Sequence, residues 1–322
     1  MSGGKPLIAI VGPTGSGKSE LALRVAEEYD GEIVSCDSLQ IYRYFDVGTA
    51  KLTPVERRNI PHHLLDAADP DELFSAGEFA RLGRGVLEEI TARGKLPVVA
   101  GGTGFYLRAL VDGLFPGPPR NEALRTRLAA RNQRRPGSLH RLLRRFDPAA
   151  AARIHARDVA KLMRALEVCL LTRRSLSAAF AAGRDSLQGY NLLKIGVNPP
   201  REALYARLDA RCRRMFESGL VDEVRRILWL GFPTEAKPLE AHGYRQALQY
   251  LRGELSLEEA IFHAQGNTRR YAKRQWTWFR REAGLEWFNG FGHDPSLQRT
   301  VLARVREHLG RREPPEPSAR LD

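Results

Sequence analysis

Cysteine is nearly absent from this chain: three in 322 residues, Cys36, Cys169 and Cys212. They are too scattered for a disulfide framework or a Cys-x-x-Cys zinc site, so a reduced, cytoplasmic protein without structural zinc is expected. Long apolar runs are missing as well. No stretch approaches the roughly 18 uncharged apolar residues that a membrane helix needs, so a membrane protein is excluded. The first residues, Met1-Ser2-Gly3-Gly4-Lys5-Pro6, run directly into an apolar strand pattern and read as neither a signal nor a transit peptide. There is no internal repeat. What remains is ordinary for a globular chain, 43% hydrophobic and 28% charged, which excludes disorder as the main state. The length suits two domains, or one large domain carrying an insertion.

Lysine is scarce too, eight against 43 arginines, and the net charge is +13. Residues 120–184 hold 16 Arg and Lys but only Glu122, Asp147, Asp158 and Glu167 as acids, so this one segment carries nearly the whole excess. A solvated helical face mixes both signs. A block of one sign points to a polyanionic partner, with nucleic acid the leading class and a bland arginine-rich surface the alternative. A second basic run, Arg269, Arg270, Lys273, Arg274, Arg280 and Arg281, is interleaved with Tyr271, Trp276, Trp278 and Phe279. On a helix, Tyr271, Gln275, Trp278 and Phe279 recur at spacings near three and four, with Phe262 nine residues before Tyr271 on the same pattern. They are expected to face the core, leaving the arginines free to reach phosphates.

Along the chain, apolar strand patterns alternate with helices. Strands are expected at Leu7–Val11, Glu32–Cys36, His62–Leu65 and Leu96–Ala100, with helices over 20–26 and 79–93. That alternation predicts a parallel α/β sheet flanked by helices. The Pro/Gly cluster from Gly113 to Pro119 breaks the pattern. Helices alone follow, near 121–134, 138–146, 148–155, 158–173 and 175–182, before strand character returns at Leu192–Val197. The rest reads as helices near 201–217, 219–230, 243–252, 256–283 and 296–309. The expected organisation is a P-loop α/β core of 1–115 and 190–312, an all-helical basic insertion of 116–189, and a disordered tail of 313–322.

Gly12-Pro13-Thr14-Gly15-Ser16-Gly17-Lys18-Ser19 fits G-x-x-x-x-G-K-[ST], after a strand and opening a helix. Glycines let successive backbone N–H groups turn inward toward phosphate oxygens, and the helix N-terminus adds positive potential. Lys18 supplies a point charge, and Ser19 offers a hydroxyl to Mg²⁺. Asp37, at the end of the second strand, is a candidate base or metal ligand, with a capping role as the plainer reading. Asp66 is either a Walker-B-like acid or a loop cap. Gly101-Gly102-Thr103-Gly104 after the fourth strand is less specific, because such turns often only pack tightly.

Taken together, these blocks resemble the tRNA dimethylallyltransferases (isopentenyltransferases) of bacterial type. The resemblance runs through the phosphate loop, Asp37-Ser38-Leu39-Gln40-Ile41-Tyr42-Arg43, Asp46–Lys51, Pro61–Asp66 and Gly101–Tyr106. It continues through Gly243-Tyr244-Arg245-Gln246 and Thr268–Phe279, in the family's order. It implies transfer of a dimethylallyl group from dimethylallyl diphosphate to N6 of the adenosine on the 3′ side of the anticodon. On that likeness Asp37 matches the general base, Thr103 a residue near substrate, and Arg207 or Arg211 a pyrophosphate-binding arginine. The likeness also implies tRNA contacts at Asp37, Ser38, Leu39, Gln40, Thr103 and Arg125. Further contacts would fall at Lys161, Leu162, Met163 and Arg164, and at Glu240, Ala241, His242, Gly243, Tyr244 and Arg245. The basic insertion would then clamp the anticodon stem-loop, with the protein acting as a monomer. Two other readings stand beside it. A P-loop kinase of a small metabolite explains the loop and Asp37 but not the charged insertion. A nucleotide-gated RNA-binding module explains loop and charge but gives Asp37 and Thr103 no task.

Overall fold

The computed structural model describes residues 4–115, 117–181 and 183–310. The expected tail at 313–322 and Pro116 of the Pro/Gly cluster lie outside the described residues. The chain opens with β1 (Lys5–Val11), α1 (Lys18–Tyr29), β2 (Gly31–Ser35), β3 (His62–His63), α2 (Ala76–Ala92), β4 (Leu96–Gly101) and α3 (Gly104–Val111). A helical run follows: α4 (Glu122–Arg134), α5 (Ser138–Phe146), α6 (Pro148–Arg153), α7 (Val159–Thr172) and α8 (Leu176–Ala181). The chain closes with β5 (Tyr190–Asn198), α9 (Arg201–Glu217), α10 (Leu220–Trp229), a 3₁₀ turn (Lys237–Glu240), α11 (Tyr244–Leu251), α12 (Leu257–Phe279), β6 (Leu285–Asn289) and α13 (Pro295–His308).

The strands form one parallel sheet in the order β3-β2-β4-β1-β5-β6. β1 is buried from Leu7 to Val11, as a central parallel strand covered on both faces must be. Leu21, Ala22, Val25, Ala26 and Tyr29 give α1 its apolar stripe, which packs on Ile8 and Ile10 together with Val301 and Val305 of α13. A second apolar cluster gathers Phe45, Phe216, Ile227, Tyr244 and Ile261. Capping boxes, Ser75 with Glu78 and Ser256 with Glu259, start α2 and α12.

Two strand expectations change. The third strand is only His62–His63, because Leu64 (φ 60°) and Asp66 (φ 54°) turn the chain into the left-handed region. β6 is a strand beyond those expected. The helix over 256–283 stops at Phe279, and Leu285–Asn289 pairs with Lys194–Asn198 at the sheet edge. Five residues on an edge, four half-buried and the last exposed, carry too little alternation to be read from sequence.

The described residues divide into two compact units, one of residues 4–110 and 188–310, the other within 111–187. The boundary falls before the Pro/Gly cluster, and backbone contacts explain it. The Leu187 N–H donates to the Val111 carbonyl (2.8 Å). Gly113 (φ 72°) lies so close to the Asp185 backbone that no Cβ fits. The second unit has its own core of Leu128, Leu139, Leu143, Leu162, Leu166 and Val168.

Candidate active site

β2, β4 and β1 are neighbours in the sheet, and each ends in a loop that bears polar side chains at the same edge. β1 leads into the phosphate loop, β2 into Asp37 and β4 into Thr103. Carboxyl ends of parallel strands are where open α/β sheets hold ligands. The loop's turns need glycine: Gly15 (φ 78°) and Gly17 (φ 85°) are left-handed, and a Cβ on Gly17 would come 2.8 Å from the Gly292 nitrogen. Ser16 is fully buried, its Oγ has no hydrogen-bond partner among the described residues, and its carbonyl accepts the Gly292 N–H (2.8 Å). Ser19 lies exposed in the first turn of α1.

Lys18 is half-buried, and its Nζ donates to the Pro13 carbonyl (3.4 Å). Burial lowers its pKa to about 8. Asp37 works against that shift, and Arg211 adds to it. Arg211 projects from α9, with Nη2 donating to Thr14 Oγ1 at 2.7 Å. Burial, then Arg207, bring its pKa down to about 10, so it stays cationic at neutral pH. Arg207, one turn earlier, is exposed; it faces His293 (3.3 Å) and stacks over Phe291 (5.3 Å). Of the two arginines, Arg211 therefore stands against the phosphate loop.

Asp37 Oδ1 accepts the Leu39 N–H (2.9 Å) and, at 3.5 Å, the Gln40 N–H. The capping role is real, and it engages one carboxylate oxygen. Thr103 Oγ1 accepts the Ser38 N–H (3.0 Å) and so ties the β4 loop to the residue beside Asp37. Gln40 turns inward, its Oε1 accepting from Ser35 Oγ (3.1 Å) and its Nε2 donating to the Thr49 carbonyl (3.3 Å). The glycine turn is tightly packed: at Gly102 an added Cβ would overlap the Gln275 amide, and at Gly104 the Trp278 indole. The His242 ring packs at a tilt of 40° against Tyr271, with ring centroids 4.7 Å apart. Burial first, then Arg211 and Arg274, lower the His242 pKa to about 4 against the pull of Asp37, so the ring is neutral at physiological pH. Burial and Asp37 raise the Tyr271 phenol, while its hydrogen bond to Thr103 opposes them.

Several expected site residues sit elsewhere. Leu162 and Tyr244 are buried in the cores of their units, the Tyr244 hydroxyl donating to Glu223 (2.6 Å), so neither side chain can meet a macromolecule. Gly243 is buried, its N–H bound to Gln246 Oε1 (2.9 Å). Asp66 pairs with the buried Lys51 (2.7 Å), the contact expected of a loop anchor. Phe262 is 67% exposed, whereas Gln275, Trp276 and Phe279 are buried. Glu240 and Arg245 are exposed, Glu240 paired with Lys237.

In the second unit Glu167 is fully buried and accepts from Arg125 (Nε and Nη2, both 3.0 Å), Arg164 (2.8 Å) and the Asn121 N–H (2.7 Å). Burial alone would raise its pKa, but these donors hold it at about 2. Lys161 is exposed and paired with Asp158 (2.5 Å), and Met163 is half-buried. In the first unit, a basic groove of about 460 Å³ is lined by Arg108, Arg270, Lys273, Arg274, Thr277, Trp278 and Arg281. Arg108 stacks on Trp278 at 4.5 Å. Among the described residues no helix is long and apolar enough to cross a membrane.

A phosphate loop at a parallel-strand end, with a carboxylate and a hydroxyl on the two neighbouring strand ends, defines a P-loop α/β enzyme acting on a phosphorylated substrate. Comparison with known proteins narrows the class. The IPP transferase family model matches residues 40–282 and the isopentenyl transferase model residues 5–69. The chain is 65% identical over 305 residues to the tRNA dimethylallyltransferase of Solibacter usitatus, covering 95% of this chain and 99% of that protein. It is 51% identical over 292 residues to the enzyme of the same name from Koribacter versatilis, covering 90% and 95%. Its fold matches the crystal structure of the full-length tRNA isopentenylpyrophosphate transferase of Bacillus halodurans at 38% identity and a TM-score of 0.71, covering 95% and 97%. It also matches a eukaryotic dimethylallyltransferase acting on tRNA, at 26% identity and a TM-score of 0.82, covering 97% and 81%. The chain belongs to the tRNA dimethylallyltransferase family. Membership in that family leaves the small-metabolite kinase without support.

Proposed function

We propose that this protein transfers the dimethylallyl group of dimethylallyl diphosphate to N6 of the adenosine on the 3′ side of the tRNA anticodon. The observation that carries the proposal is the meeting of Asp37, Thr103 and the phosphate loop on three adjacent strand ends, in a chain of this family. The N6 lone pair forms the new bond to C1 of the allyl group as the C1–O bond breaks, its electron pair leaving with diphosphate. Asp37 takes the N6 proton through the oxygen that its backbone cap leaves over. Lys18, Arg211 and the loop amides from Gly15 to Ser19 stabilise the charge gathering on the leaving group. Thr103 holds the Ser38 backbone and hence the Asp37 loop.

An exposed hydroxyl at the start of α1 suits Mg²⁺, which binds through one or two protein groups and substrate phosphates. Ser19 would hold the ion, and the ion's chemistry is charge neutralisation on diphosphate. The target base leaves its stack to reach the strand ends. Exposed arginines of the second unit, with Arg125, Lys161, Met163 and Arg164 nearby in sequence, position tRNA through its phosphates. The basic groove beside Trp278 and the exposed Arg245 serve the same substrate. Asp37 to Leu39, Thr103 and Glu240 to His242 lie toward its target nucleotide, while Gln40, its amide engaged by Ser35 and Thr49, supports that loop from within. The reading makes the protein a cytoplasmic enzyme that works as a monomer.

Ligand choice tests the proposal. Titration with dimethylallyl diphosphate and with ATP, each with Mg²⁺, should give tighter binding of the allylic diphosphate. Carbon label from it should then appear in tRNA. Preference for ATP with transfer of its γ-phosphate would overturn the reading.

A further inference from the structure

We infer that Gln275 is a positioning residue that fixes the phosphate loop against the Gly102–Thr103 turn, so that diphosphate and amine acceptor meet in register. The inference rests on the reading of the strand ends as the transfer site. β1 and β4 are paired only as far as Val11 and Gly101. Beyond that point the sheet no longer sets the separation of the two loops. Gln275 bridges them there. Its Oε1 accepts the Thr14 N–H at 2.8 Å, and its Nε2 donates to the Gly102 carbonyl at 2.9 Å.

The neighbours extend the bridge in both directions. Thr14 is held on its other side by Arg211 (2.7 Å), and Thr103, next to Gly102, holds the Ser38 N–H (3.0 Å) beside Asp37. A chain of contacts thus runs from the arginine at the leaving-group side to the carboxylate at the acceptor side. A Cβ at 102 would overlap the Gln275 amide, so any larger residue there would push the amide out of its bridge. Gln275 lies on the same helix as the exposed Lys273 and Arg274. It is only 5% exposed, and both ends of its amide are engaged, so it has nothing to offer a nucleotide. An amide suits the place because it presents one acceptor and one donor; a carboxylate would set an acceptor against the Gly102 carbonyl.

The test uses the full-length protein with Gln275→Met, which keeps the volume, and Gln275→Glu, which keeps the shape. Folding is checked by thermal melting. Single-turnover transfer, the KM for dimethylallyl diphosphate and the Kd for tRNA are then measured. Misplacement of reacting groups by about 1 Å costs on the order of 100-fold. Transfer should therefore fall about 10- to 100-fold in both folded variants, with the tRNA Kd within about twofold of wild type. Gln275→Glu should regain activity relative to wild type as pH falls, because its protonated carboxyl again donates to Gly102; Gln275→Met should not. Transfer within about threefold of wild type in folded Gln275→Met would overturn the inference. So would a loss matched by an equal loss of tRNA affinity, which would make Gln275 a tRNA contact. Wild-type protein that fails to modify tRNA would overturn the reading of the site and this inference with it. Wild-type transfer with unaffected variants would overturn this inference alone.

Discussion

Lys18 should make diphosphate binding fall with rising pH well below the range where an ordinary lysine titrates. Its pKa is brought to about 8, chiefly by burial, against roughly 10.4 for a free lysine. The charged form binds the anion, so binding is full below about pH 7 and weakens as pH climbs through 8. At pH ~7 about nine-tenths of Lys18 is protonated, and at pH ~9.5 about one-thirtieth, so the affinity should fall roughly 30-fold. An unperturbed lysine would lose only about a tenth of its charge over the same interval. Arg211, at about 10, adds little until the upper end of the range. The assay is calorimetric titration of dimethylallyl diphosphate at several pH values, starting where the ligand is fully ionised so that its own titration drops out. Lys18→Ala should bind weakly throughout and lose the slope. Affinity that is flat from about pH 7 to 9.5 in the wild type would refute the placement of Lys18 in a desolvated anion site.

Asp37→Asn should keep the turn cap yet lose the proton acceptor, cutting kcat by about 10²- to 10⁴-fold with little change in diphosphate KM; near-normal turnover would remove Asp37 as the base. Ser19→Ala should raise the Mg²⁺ concentration needed for half-maximal rate, and an unchanged Mg²⁺ curve would remove Ser19 as a ligand. Neutralising the exposed Arg131, Arg134 and Arg135 together should raise tRNA KM without changing diphosphate KM. Each tRNA phosphate that the variant no longer neutralises should flatten the log–log salt dependence by about 0.7–0.9, and an unchanged slope would show that these arginines touch no phosphate. Glu167→Gln should lower the melting temperature and raise tRNA KM with kcat retained, because Arg125 and Arg164 lose the carboxylate that orients them; unchanged tRNA KM would make Glu167 purely structural.

The loops that carry chemistry were legible because their physics is local. Gly15 and Gly17 are needed for left-handed turns, Lys18 and Ser19 follow by spacing, and Asp37 and Thr103 fall directly after apolar strands. The basic helical insertion was legible from its block of charge together with a run of helices set between two strand-bearing stretches. Other features depend on distant partners and could not be read from spacing. Gln275 bridges Thr14, 261 residues away, and Gly102, 173 residues away; in sequence it is one polar position on an amphipathic helix. His242 gains its neutral state from burial, then from Arg211 and Arg274, groups that come from other parts of the chain. Family blocks also overreach when each residue is read as a contact. Leu162 and Tyr244 lie inside such blocks because their units need a core there.

The central claim is that these strand ends join an allyl group to a tRNA adenosine. The most direct measurement incubates the protein with dimethylallyl diphosphate labelled at C1 and unmodified tRNA, then digests the tRNA and separates its nucleosides. The account predicts label in N6-dimethylallyladenosine, lost when the adenosine next to the anticodon is replaced by guanosine and lost with Asp37→Asn. Label in another nucleoside, or full labelling after either change, would contradict it.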